Sequence, residues 1–196
     1  MPRMRASSWR AFDPSAGARE RVRLPPQVLQ ARVRILGLDP GSRRTGYGLV
    51  DCEGAESVHV AHGCVAPREE SAAGRLRAIF EAVEGLIASH RPDEIAVERV
   101  FVNRNVDSAL KLGQARGAAL SAVPRGISVY EYAPRAVKLA VVGYGAADKR
   151  QVAHMMGALL GLSAAIAYDA SDALAVAVCH AYSRRLGSIL PSGSLE

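Results

Sequence analysis

Two acidic residues each follow an apolar segment of the chain. Asp39 comes directly after residues 33–38, and Glu98 comes directly after residues 95–97. A carboxylate at the end of a buried strand is costly to ionise unless a cation or hydrogen-bond donors lie beside it. Each acid alone also has an ordinary explanation, because Asp caps turns and a strand-end Glu is commonly a solvated charge.

A second acidic pair, Asp169 and Asp172, precedes the apolar segment 173–178. Residues three apart on a helix share one face, so a helix beginning here would present both carboxylates together. Capping and the helix dipole also favour Asp in a first turn, by about 1 kcal/mol each, and Ser171 is a further possible cap.

Together the four acids form a set of oxygen ligands, which suits Mg²⁺ or Mn²⁺. Two such ions about 4 Å apart activate a water on one side of a phosphodiester and neutralise the leaving oxygen on the other. The histidines share no metal-ligand spacing and are predicted to be structural: His59, His62, His90, His154 and His180. The pattern therefore favours metal-dependent phosphodiester hydrolysis.

The periodicity of apolar residues predicts the elements that hold these acids. The predicted strands cover 33–39, 46–51, 57–65, 95–98 and 127–132. The predicted helices cover 71 to just before Pro92, 105–122, 149–160 and 170–184. Consecutive strands joined by short turns imply an antiparallel meander. The order indicates an α/β domain, with a mixed five-stranded sheet flanked by helices.

Composition limits the remaining possibilities. The chain has 196 residues, a net charge of +6 and three widely spaced cysteines, and no apolar run approaches the roughly 18 residues of a membrane span. We expect no disulfide framework and a cytoplasmic location. Residues 1–32 carry seven arginines against two acids, so the remainder has a net charge of only +1. We predict a disordered extension at 1–32, one domain at 33–186 and a flexible tail at 187–196.

Five motifs in order along residues 33–185 resemble the RuvC family of crossover junction endonucleases. They are Gly37-Leu38-Asp39-Pro40-Gly41-Ser42 with Thr45-Gly46-Tyr47-Gly48, Glu98-Arg99-Val100-Phe101, Asp107 to Gly117, Tyr132-Ala133-Pro134-Arg135 to Lys138, and Asp169 to Ala175. An isolated Asp-Pro-Gly turn would be weak evidence. The combination in this order is specific.

The resemblance implies an RNase H-like fold and a homodimer that resolves a four-way DNA junction, the Holliday junction, by paired symmetric nicks in recombination and repair. It implies two Mg²⁺ ions per site, replaceable by Mn²⁺, and products with 5′-phosphate ends. By motif position the catalytic residues and metal ligands are Asp39, Glu98, Asp169 and Asp172. Branch-migration proteins resembling RuvA and RuvB are expected partners.

The resemblance also implies DNA contacts. Lys138 and Lys149 fall where the family carries basic residues near the scissile phosphate, and Phe101 falls where it stacks on an unpaired base. Such stacking is worth about 1–3 kcal/mol, although Phe101 also suits a core position. Further candidate phosphate contacts are Arg43, Arg44, Arg99, Arg104, Lys111, Arg116, Arg135 and Arg150. The family uses the helix 108–120 at its dimer interface, and packing onto the chain's own sheet is the alternative.

Three other functions are compatible with parts of the pattern. Actin-like ATPases and sugar kinases also begin with an Asp-x-Gly turn between strands, but they need a second similar domain that this length does not provide. A junction binder with a decayed active site would be expected to lack at least one acid. A nuclease of RNA/DNA hybrids is disfavoured by the Phe101 and dimer-helix motifs.

Overall fold

A computed structural model of the chain describes residues 32–54, 56–100 and 105–189. Its five strands are β1 (Val33–Asp39), β2 (Thr45–Glu53), β3 (Glu56–Val65), β4 (Glu94–Glu98) and β5 (Ser128–Tyr132). Its five helices are α1 (Ala72–His90), α2 (Val106–Ser121), α3 (Pro134–Val142), α4 (Lys149–Leu160) and α5 (Tyr168–Ile189). The predicted α/β class with a mixed five-stranded sheet is confirmed.

The strands form one sheet in the order β3-β2-β1-β4-β5. β1, β2 and β3 make the predicted antiparallel meander, whereas β4 runs parallel to β1 and β5 runs parallel to β4. Parallel neighbours end at the same edge of a sheet. The carboxyl ends of β1 and β4, where two of the four acids lie, are therefore adjacent.

Side chains alternate between the two faces of the sheet, and each face has its own core. On one face Leu36 and Leu38 pack with α1 and α2, through residues such as Ile79 and Ala115. On the other face Ile35 packs with α3, α4 and α5. Burial on both faces explains why the central residues of these two strands, 35–38 of β1 and 95–97 of β4, are apolar rather than alternating.

Glycines let α5 approach the sheet closely. A Cβ atom at Gly46 would lie 1.9 Å from the carbonyl oxygen of Asp169, and a Cβ atom at Gly37 would lie 2.1 Å from the carbonyl oxygen of Ala173. A Cβ atom at Gly48 would lie 2.7 Å from the backbone nitrogen of Leu174. Only glycine fits at these three positions, so they fix the distance of the first half of α5 from β1 and β2.

The structure differs from the sequence-based prediction by more than two residues in two places. Helix α3 was not predicted, since it has nine residues and no side-chain cap, although Pro134 lies in its first turn and Gly143 ends it in the left-handed conformation. Helix α5 extends to Ile189, three residues into the predicted tail. Residues 1–31 and 190–196 lie outside the described residues, so the predictions for them stand as predictions.

Within the described ranges, no helix combines the length and the apolar character needed to cross a membrane.

The close packing of α5 yields a prediction for Gly48→Ala. The new methyl group would overlap the backbone of Leu174, and such overpacking costs about 1–3 kcal/mol. The matched control is Gly85→Ala in α1, where nothing lies within 4 Å and Ala should stabilise the helix by about 0.5–1 kcal/mol. Urea unfolding followed by circular dichroism measures both changes. Equal effects of the same sign would contradict the close approach of α5.

Candidate active site

Asp39 and Glu98 are the last residues of neighbouring parallel strands. In the register of β1 and β4, Leu38 pairs with Val97, so the two acids follow that pair side by side. Asp39 shares its face of the sheet with Gly37, and Glu98 shares its face with Ala96, which lies in the core beneath α5. Both carboxylates are half-buried and lie on the face of the sheet that α5 covers.

The remaining groups of the site come from helices. Asp172 lies in the first turns of α5, and its Oδ2 is 3.1 Å from Nζ of Lys149, the first residue of α4. A pocket of about 250 Å³ joins the strand and helix groups. It is lined by Asp39, Glu98, Pro134, Val137, Lys138, Lys149, Val152, Asp172 and Ala175. Three acids and two lysines thus converge on one pocket with an apolar floor.

The electrostatics of the pocket work against ionisation of the strand-end acids. Burial, followed by the negative charges of Asp39 and Asp172, raises the pKa of Glu98 to about 7. Burial and the charge of Asp172 raise the pKa of Asp39 to about 6, against the lowering effect of Lys149. The carboxylates also repel one another within the half-buried pocket. This repulsion is relieved by a proton or by additional positive charge.

Lys149 is the cationic side chain that forms an ion pair with an acid of the pocket. Partial burial opposes its protonation, but the hydrogen bond to Asp172 and the charges of Asp172 and Asp39 raise its pKa above the ordinary value. Lys138 also lowers the pKa of Glu98 through its charge. The two lysines place positive charge beside the acids, and the Lys149 side chain remains 60% exposed.

Asp169 lies near the pocket but does not line it. Its charge contributes to raising the pKa of Asp39 and of the half-buried thiol of Cys64, for which burial is the main cause. Its carbonyl oxygen rests against Gly46. The structure therefore places Asp169 within electrostatic reach of Asp39 but outside the pocket lining.

One predicted DNA-contact residue, Arg135, lies outside the pocket lining. Arg135 is exposed in the first turn of α3, and its side chain packs towards Gly145 rather than lining the pocket. Phe101 and Arg104 lie outside the described residues.

A buried polar network, which the sequence did not reveal, joins α5 to β4 and β5. His180 is 1% exposed, and its Nε2 lies 2.7 Å from Glu94 Oε2. Because a carboxylate only accepts, Nε2 carries the proton, and Nδ1 accepts from the Tyr132 hydroxyl at 2.6 Å. Burial lowers the pKa of His180, which keeps the imidazole neutral. Tyr130 stacks on the ring at a centroid distance of 4.2 Å.

This network lies on the same sheet face as the pocket. Glu94 and Glu98 begin and end β4, and Tyr132 ends β5 just before α3 and its Lys138. Arg184 Nε also lies 2.7 Å from Glu94 Oε2. The second half of α5 is thus fixed by hydrogen bonds, while its first half is fixed by the glycine contacts. The prediction of a structural role for His180 agrees with these contacts.

The donor chemistry of the pocket fits a hard divalent cation. Its acidic ligands are all carboxylates, and their raised pKa values mark a local excess of negative charge. Among the described residues, no three His, Cys, Asp or Glu side chains already form a complete metal-binding group. Cation binding would therefore require small side-chain movements, including release of Asp172 from Lys149.

Comparison with known proteins identifies close relatives. Residues 35–180 match the family model described as crossover junction endodeoxyribonuclease RuvC. The chain is 55% identical over 153 residues to the protein of that name from Methylococcus capsulatus, covering 78% of this chain and 92% of the relative. It is 56% identical over 149 residues to that from Marinobacter nauticus, covering 76% and 85%.

Solved structures agree with the sequence matches. The RuvC of T. thermophilus in complex with a Holliday junction substrate superposes with a TM-score of 0.73 and 36% identity, covering 80% of this chain and 97% of that one. The yeast mitochondrial Holliday junction resolvase Ydc2 shares the fold, with a TM-score of 0.59 and 12% identity over 80% of this chain and 81% of its own. The predicted RNase H-like fold is confirmed.

The raised pKa values yield a prediction for the metal-free protein. In the unfolded chain the Glu98 carboxyl ionises near its ordinary pKa of 4.5, whereas in the folded protein it keeps its proton up to about pH 7. Ionisation in the fold is unfavourable, so this group lowers the free energy of unfolding as pH rises through that window. Glu98→Gln should therefore stabilise the metal-free protein increasingly from pH 4.5 to pH 7, reaching about 1–3 kcal/mol.

The measurement is urea unfolding of both proteins in chelator at several pH values. Taking the difference between them cancels the contributions of His59 and His180, whose pKa values burial lowers. Glu84→Gln, an exposed position on α1, is the control and should give no pH-dependent gain. A gain that shrinks as pH rises would contradict the electrostatics described here.

Proposed function

The chain belongs to the RuvC family of crossover junction endodeoxyribonucleases, and on that premise we propose that it resolves Holliday junctions with a catalytic centre of four acids. These are Asp39, Glu98, Asp169 and Asp172. The observation that carries the proposal is the pair of half-buried carboxylates at the adjacent ends of β1 and β4, whose burial, together with the charge of Asp172, raises both pKa values. A structural strand end has no need of two such groups, whereas a cation site does.

The proposed reaction is hydrolysis of one phosphodiester in each of two strands of like polarity. A water oxygen bonds to phosphorus, the bond to the 3′ oxygen breaks, and the products carry a 5′-phosphate and a 3′-hydroxyl. When bound, two Mg²⁺ ions, replaceable by Mn²⁺, supply the positive charge that activates the water and stabilises the leaving oxygen. This activity would serve DNA recombination and repair.

Each residue of the pocket has a proposed part. Asp39, Glu98 and Asp172 hold the cations with their carboxylate oxygens. Asp169 is the fourth acidic ligand. Lys138 and Lys149 orient the scissile phosphate by charge, which suits their position on the rim of the same pocket. Phe101, Arg104 and Arg135 are also proposed to contact the junction.

Helix α2 supports the proposal of a homodimer. Val106 and Leu110 are 66% and 62% exposed, and a Cβ atom at Gly113 or Gly117 would meet nothing within 4 Å. These positions follow the spacing of one helix face. An apolar face with small residues at its centre permits close packing against a second copy. Two copies would supply the two active sites that paired nicks require.

We also propose cooperation with branch-migration proteins resembling RuvA and RuvB, and action in the cytoplasm, where the three free thiols of the chain are stable in the reduced state.

A cleavage assay tests the proposed catalytic centre. With Mg²⁺, the wild-type protein should nick a labelled synthetic four-way junction symmetrically and leave a linear duplex of the same sequence intact. Asp39→Asn should lower the cleavage rate by at least about 10³-fold, because it removes a cation ligand and its charge, yet it should still bind the junction. Asp51→Asn, at an acid paired with Arg34 far along β2, is the control and should retain cleavage.

Junction binding without cleavage by the wild-type protein in any divalent cation would support the alternative of a structural junction binder. Cleavage by Asp39→Asn at the wild-type rate would contradict the assignment of this acid.

The dimer proposal makes a separate prediction. Leu110→Glu places a charge in the apolar face of α2 and should raise the dimer dissociation constant at least about tenfold, measured by sedimentation velocity. Leu186→Glu is the matched control, because Leu186 is equally exposed, at 61%, but lies near the end of α5. A dimer that dissociates only in the Leu186 variant would place the interface elsewhere.

A further inference from the structure

A second cleft lies on the face of the sheet opposite the acidic pocket. It has a volume of about 540 Å³ and is enclosed by the β1–β2 loop and the first halves of α1 and α2. Three basic residues line it, one from each of these elements: Arg43, Arg75 and Lys111. Ser42, Ser108 and Gln114 add neutral hydrogen-bonding groups, and the single acid is Asp107. The lining therefore carries a net positive charge.

The three cations differ in how far they are neutralised. Arg43 makes no ion pair with any described residue. Nη1 of Arg75 donates to the backbone carbonyl oxygen of Glu70 at 2.6 Å, which fixes the guanidinium without cancelling its charge. Lys111 Nζ lies 2.7 Å from Asp107 Oδ2, so this lysine is paired within the cleft.

The starts of two long helices add to the positive potential. Ala72 opens α1 and Asp107 and Ser108 lie in the first turn of α2, and all three line the cleft. The Ser71 and Asn105 side chains each cap one backbone N–H of these helices, and the helix dipole still gives each helix start a partial positive charge that favours anions. The side chains and the helix starts thus favour the same kind of ligand.

We propose that this cleft binds a backbone phosphate of the junction DNA, beyond the strand segment that enters the acidic pocket. The inference rests on the proposed function. Its support is the continuity of the two sites: Asp39 ends β1 in the acidic pocket, and Ser42 and Arg43, a few residues further along the same loop, line the cleft. DNA that crosses this end of the sheet meets both.

The basic residues of this region fall into two groups, those with an acidic partner and those without one. Arg99 and Arg116 both pair with Glu131, at 3.7 and 2.6 Å, so they offer less free charge. Arg43 and Arg75 have no acidic partner among the described residues and face a defined cavity. A phosphate contact of this kind positions the duplex without reading its sequence.

The test measures junction binding by fluorescence anisotropy in chelator between 50 and 200 mM KCl. Each phosphate that a protein neutralises contributes about 0.9 to the slope of log K against log salt concentration. Arg43→Gln should weaken binding about tenfold at the lower salt and reduce the slope by about one. Asp107→Asn frees Lys111 and should change both quantities in the opposite direction. Arg77→Gln, on the exposed face of α1, is the control and should change neither.

Two further measurements distinguish failure of the cleft proposal from failure of the proposed function. Thermal unfolding establishes that each variant is folded, and the control Arg77→Gln should keep the wild-type rate of Mg²⁺-dependent cleavage. If the wild type cleaves junctions but Arg43→Gln and Asp107→Asn keep its salt slope, the cleft proposal is wrong and the proposed function stands. If the wild type does not cleave, the proposed function itself fails.

Calorimetric titration with inorganic phosphate distinguishes a free anion from DNA as the ligand. Binding of phosphate that is lost in Arg43→Gln, together with an unchanged salt slope for the junction, would identify a free-anion site and overturn the DNA proposal.

Discussion

The burial of Asp39 and Glu98 beside the negative charge of Asp172 is the constraint on which the rest of this structure depends. Two carboxylates on adjacent parallel strands, half-buried beneath a helix, are unfavourable in the absence of a compensating charge. The surrounding elements hold them there nevertheless. Parallel pairing of β1 and β4 fixes their separation, glycines on β1 and β2 set the depth of α5, and the His180 network fixes the second half of that helix. The fold thus maintains a local excess of negative charge.

The two faces of the sheet carry different sites. The face under α5 holds the acids, the two lysines and the buried polar network. The opposite face carries α1 and α2, with the basic cleft between their first halves and the exposed apolar stripe of α2 beyond it. The short loop from Asp39 to Thr45 is the link between them, since it begins at the acidic pocket and lines the cleft.

The sequence predicts the strand-end acids well because the centres of β1 and β4 are buried on both faces, so that the apolar segments 35–38 and 95–97 end directly at Asp39 and Glu98. The same reasoning found β1 and α4 with their observed bounds. It missed α3, because nine residues with three valines and no polar cap carry little helical signal. The sequence also did not predict the hydrogen-bond partners of His180, because Glu94 and Tyr132 are 86 and 48 residues away along the chain. The position of Asp169 outside the pocket lining depends on the rotation of α5 about its axis, which helical spacing alone does not specify.

The number of protons released when Mg²⁺ binds tests most directly whether the buried acids form the cation site. Near pH 6.5, between the raised pKa values of Asp39 and Glu98, the metal-free site holds about one proton that a bound cation must displace. Calorimetric titration of the whole protein with Mg²⁺ in two buffers of different ionisation enthalpy gives that number. Release of about one proton per chain, reduced in Glu98→Gln, is the expected result. Binding of Mg²⁺ with no proton release, or with the same release in both proteins, would contradict the claim that the burial and repulsion of the acids in this pocket create the cation site.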